Sequence, residues 1–164
     1  MTKKEEYLKE IAENPTMSDQ EKLDISVTEC KFDIIECCEE YAEAAGGGVD
    51  RICVFCSWGE TMKDNFSCSY FRIGNDIKMD YQLCSDVKLN MNLQISIIRD
   101  MLDITRLCNK YDADVPKEMK LFYNPEERYL KTDYGWSYLL TEGRTERDIM
   151  AKWLKEAEEG MKGV

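Results

Sequence analysis

From Ile52 to Trp58 the side chains alternate, and both halves of the alternation are largely apolar. Ile52, Val54, Cys56 and Trp58 form one set, while Cys53, Phe55 and Ser57 form the other. An extended segment sends successive side chains to opposite faces of a sheet. A strand that is apolar on both faces has to lie centrally or be covered on both sides. This segment therefore predicts a sheet with a buried strand in it.

The same run contains Cys53-Val54-Phe55-Cys56, the spacing of a zinc knuckle or a redox dithiol. On a strand, side chains three apart point to opposite faces, so this pair cannot clasp one ion. The redox motif needs its first cysteine at a helix N-terminus, but Ser57-Trp58-Gly59 leads into a loop. No second Cys-x-x-Cys follows, and the chain has no histidine. That removes the commonest metal ligand and general base, and with it Ser-His-Asp and Cys-His catalysis within the chain. All 8 cysteines are read as small packing residues. No catalytic residue, metal ligand or cofactor is assigned.

Around the central strand the pattern alternates between helical and extended periods. Residues 1–14 form a short helix with Tyr7, Leu8 and Ile11 on one side, ended by Asn14-Pro15. Residues 1–17 are expected to be loosely attached to a single domain spanning 1–164. Ser18 and Glu21 have the spacing of a capping box. Leu23, Val27, Cys30, Ile34, Cys37, Tyr41 and Ala45 then mark one face of a long helix, which Gly46-Gly47-Gly48 stops. Strands follow at 66–73 and 77–83. A second long helix begins at Ser85-Asp86, with Leu89, Leu93, Ile97, Met101, Ile104 and Cys108 inward. A hairpin at 119–136 and a helix opened by Thr145 and Asp148 complete the chain, whose tail from Gly160 is expected to fray. Short turns between strands imply antiparallel pairing. The expected class is α+β: two layers, a mostly antiparallel sheet with helices packed on one face.

Charge narrows the partners. There are 33 acidic and 22 basic residues, a formal net charge of −11. Such a surface repels nucleic-acid phosphates and anionic lipid. No segment approaches the roughly 20 apolar residues of a membrane span. The first ten residues lack the apolar core of a signal peptide, so the expected location is the cytoplasm. Glu29, Asp33, Glu36, Glu40 and Glu43 recur at spacings of four and three, an acidic column beside the apolar face of the first long helix. Glu126, Glu127, Glu142 and Glu156 add acidity elsewhere. Among the aromatics, Tyr134 and Trp136 are candidates for an outward-facing anchor, because Tyr and Trp are enriched at protein interfaces. The candidate partner-binding set is thus Glu29, Asp33, Glu36, Glu40, Glu43, Glu126, Glu127, Tyr134 and Trp136.

The element order, the hairpin MKLFYNPEERYLKTDYGW and the closing helix RDIMAKWLKE resemble the YezG-like immunity proteins of bacterial polymorphic toxin systems. The similarity spans residues 18–155. KTDYGW occupies the place of that family's Asp-aromatic-Tyr-like segment, whereas DADVPKEM lacks the Trp that commonly precedes the hairpin. The resemblance implies a non-enzymatic antitoxin that binds a basic toxin domain, often a nuclease, without a cofactor. A different binding class is an acidic nucleic-acid mimic that inhibits a host defence nuclease. It requires two tracks of acid where the immunity reading requires one patch.

Overall fold

The computed structural model describes residues 1–141 and 143–164, so Glu142 lies outside the described residues. Two helices open the chain, α1 (Lys3–Glu13) and α2 (Asp19–Ala44). After strand β1 (Arg51–Ser57) come β2 (Phe66–Ile73), β3 (Asp76–Met79), a single helical turn α3 (Asp80–Leu83) and the long helix α4 (Val87–Lys110). A hairpin of β4 (Glu118–Asn124) and β5 (Tyr129–Gly135) leads to α5 (Glu146–Lys162). The five strands are ordered β3-β2-β1-β4-β5, and every neighbouring pair is antiparallel.

Strand β1 is central, and its two apolar sets meet two different cores. Ile52, Val54, Cys56 and Trp58 pack against α2 and α4, together with Leu23, Ile34, Ile97 and Ile104. Cys53 and Phe55 pack on the other side, with Tyr70, Phe122 and the α5 residues Ile149, Trp153, Ala157 and Met161. The α+β class and the antiparallel sheet agree with the sequence reading, but the placement of all helices on one face does not. Helix α5 covers the opposite face, which makes three layers. Its apolar residues recur every four positions, and the exposed alternative would have left Phe55 and Tyr70 in water.

Local signals explain most boundaries. Ser18 Oγ accepts from the Glu21 N–H at 3.1 Å, although Glu21 meets the Ser18 hydroxyl and not the backbone. Thr145 and Asp148 form a full reciprocal box. The strand expected at 77–83 stops at Met79. Asp80 is buried, its carboxylate accepts from Gln94 of α4 at 2.5 Å and from the Tyr81 N–H at 2.8 Å, and Gln82 accepts from the Met79 N–H at 2.9 Å at the start of α3. Helix α1 buries Ile11, and Lys22 of α2 donates to its Ala12 carbonyl at 2.9 Å.

The C-terminal tail is anchored, contrary to the expected fraying. Helix α5 runs to Lys162 with Met161 buried, and Asn124 Nδ2 donates to the Val164 carbonyl at 3.4 Å. Gly160 permits this close approach, since a Cβ there would lie 2.0 Å from Phe122 Cε1. Gly160→Ala should therefore cost about 1–3 kcal/mol by overpacking, although alanine is intrinsically the better helix former by about 1 kcal/mol. Urea unfolding of the variant measures this. Adding Phe122→Leu to it is expected to recover part of the loss.

Candidate partner-binding surfaces

The nine candidate residues fall in three separate places. Five lie on α2, and they are not equivalent. Glu29 is half-buried, whereas Glu36, Glu40 and Glu43 are exposed. Asp33 is already engaged, because the Lys4 ammonium of α1 lies 2.5 Å from its carboxylate. Lys4 also reaches Asp100 at 2.9 Å and Asp103 at 3.5 Å, both on α4. One cation thus ties α1 to α2 and α4 and neutralises part of the column from within.

The electrostatics of this cluster have identifiable causes. Burial opposes the Lys4 charge, but hydrogen bonds to Asp33 and Asp100 more than offset it, and its pKa lies above the ordinary lysine value. Asp100 is almost fully buried, and burial pushes its carboxyl up to about 6 against the opposing attraction of Lys4. Burial likewise raises the nearby Cys30 thiol to about 12. Sequence reasoning missed this cluster, although a signal was present. Asp100 lies three residues after Ile97 and four before Ile104, on the inward face of α4, where an acid needs a partner. Nothing local identifies that partner as Lys4.

Glu126 and Glu127 lie in the exposed β4–β5 turn, with both backbone N–H groups donating to Asn124 Oδ1. Tyr134 and Trp136 are at the other end of β5, about 20 Å away at the usual strand rise. Their ring centroids are 6.0 Å apart, and they are 41% and 60% exposed. They border a cleft of about 590 Å³ between α2 and the end of α4, with Leu23, Val27 and Ile104 inside and Asp24 and Asp114 at its margin. Lys31 stands 4.9 Å over the Tyr134 ring. Burial lowers the Lys31 pKa while Asp24 opposes that shift.

Cys53 and Cys56 do not form a paired site. Cys53 and Cys56 are 0% exposed and belong to opposite cores, and burial raises both thiols well above the ordinary value. A raised pKa withholds the thiolate that ligation or nucleophilic attack needs. No helix among the described residues is long and apolar enough to cross a membrane. No model of a known protein family matches the chain, and no curated protein matches it.

Asp100 gives a pH signature. Its native pKa of about 6 exceeds the ordinary 3.8, so between those values the folded state binds more protons than the unfolded. Stability contributed by this group therefore falls as pH rises from 4 to 6, and is flat above. The difference between wild type and Asp100→Asn, measured by denaturant unfolding at several pH values, should change by roughly 1–3 kcal/mol across that window. A difference independent of pH would show that Asp100 ionises normally.

Proposed function

We propose that this protein is an immunity protein, an antitoxin that binds and neutralises a basic toxin domain, a nuclease in kind. The observation that carries the reading is the exposed carboxylate column Glu36, Glu40 and Glu43 of α2, whose first two members border a cleft shared with α1 and α4, in a chain of net charge −11. Like charges at helical spacing destabilise the isolated helix by about 0.2–0.5 kcal/mol per pair. A partner's lysines and arginines would relieve that repulsion and draw association forward. A nuclease that binds phosphates carries such a basic cleft, which an acidic protein can cover without performing chemistry. The resemblance to YezG-like immunity proteins supports the same reading.

Two comparisons test it. Tagged protein is used for capture from its host at low and at high salt, where the reading expects one basic, toxic partner released by salt. The triple variant Glu36→Lys, Glu40→Lys and Glu43→Lys is then compared with wild type by stopped-flow or surface binding. The association rate at low salt should drop about tenfold or more, with a smaller effect on dissociation. An unchanged rate would remove this face from the interface. Capture of a host defence nuclease would favour the mimic.

A further inference from the structure

Strand β5 forms one edge of the sheet. It pairs with β4 along all seven residues on one side. Such an edge presents unpaired backbone groups and is a template for another strand, which chains commonly blunt with lysine and other charges, with proline or with a bulge. The sequence Tyr129-Leu130-Lys131-Thr132-Asp133-Tyr134-Gly135 contains no proline, and its two exposed charges, Lys131 and Asp133, are of opposite sign and so repel a second strand only in some registers. It also carries large exposed aromatics, Tyr129 at 50% and Tyr134 at 41%, with Trp136 just beyond its end.

We propose that this edge pairs antiparallel with the same edge of a second copy, about a two-fold axis through Thr132. The argument is charge complementarity at one register. A two-fold pairing centred on Lys131 sets lysine against lysine, and one centred on Asp133 sets aspartate against aspartate. Centred on Thr132, Lys131 faces the partner's Asp133, and Asp133 faces the partner's Lys131. Both side chains are about half exposed and lie on the same face of the strand, 4.0 Å apart within one chain. Lys131 also stands 5.9 Å over the Phe122 ring, and the pair can exchange its local contact for two contacts across the seam.

The remaining positions agree with that register. Thr132 meets its own copy, and Leu130 meets the partner's Tyr134, on the face toward α2. On the face toward α5, Tyr129 covers the partner's Gly135, as an aromatic ring shields a glycine on a neighbouring strand. Opposite charges, threonine pairs and aromatic–aliphatic pairs are the cross-strand contacts that stabilise antiparallel sheets. Isologous pairing also closes, so it gives a dimer and not a fibre. The proposal is independent of the antitoxin reading and leaves the α2 column free.

Sedimentation equilibrium over the micromolar range tests it. Wild type should be dimeric. Lys131→Asp alone, or Asp133→Lys alone, puts like charges across the seam and should weaken the dimer at least about tenfold. The double swap, with both substitutions, recreates the opposite pairs in reverse and should restore dimerisation. Because these side chains are exposed, circular dichroism should be unchanged in all three. As an orthogonal readout, Thr132→Cys should form an intermolecular disulfide under mild oxidation, and wild type should not. A wild-type monomer throughout, or a dimer indifferent to the single reversals and not restored by the double swap, would overturn the proposal.

Discussion

Everything in this fold depends on burying β1 from both sides. Phe55 at its middle lies 5.5–5.6 Å, centroid to centroid, from Tyr70, Phe122 and Trp153, which come from two neighbouring strands and α5. On the reverse side Ile52, Val54 and Cys56 hold α2 and α4. Apolar burial of this kind is worth roughly 25 cal/mol per Å², so neither face can be left open. Several polar side chains beside the α5 core are paired, although the buried Ser57 hydroxyl has no side-chain or backbone partner. Trp153 Nε1 donates to Glu118 at 2.8 Å, and Lys120 bridges Glu118 at 3.6 Å and Glu156 at 2.7 Å.

Charge is organised around the same frame. Packing α2 beside α4 brings Asp33, Asp100 and Asp103 close together, which would be costly without a cation. Lys4 supplies it from α1, so the N-terminal helix is held by an ion cluster as well as by the burial of Ile11. The acids beyond Lys4 remain in water. The proposed partner surface is thus the part of the column that the protein's own lysine does not reach.

Much of the fold was legible in local pattern. The two-sided apolar alternation of β1 announced a covered strand, and the caps at Ser18 and Thr145 located two helix starts. The opposite-face argument for Cys53 and Cys56 needed only the strand period. What local pattern could not supply was which face a helix takes. Ile149, Trp153 and Ala157 recur every four residues, but the face they cover depends on how the chain crosses from β5, and no residue encodes that by itself. The tail was misjudged because glycine at position 160 reads as a breaker, whereas here it is the residue that lets α5 approach Phe122. The acidic column was readable as a column. Its division between Asp33 and the exposed glutamates was not, because Lys4 lies far from Asp100 and Asp103 in sequence. The complementarity of Lys131 and Asp133 acquires meaning only once β5 is known to be the sheet's edge.

As proposed above, this acidic protein neutralises a basic toxin domain by covering it. The most direct measurement is the activity of that domain, captured from the host, as purified protein is titrated into its reaction. Activity should be lost, with the loss completing at a fixed stoichiometric ratio and relieved by high salt. Full activity in the presence of excess protein, at low salt, would contradict it.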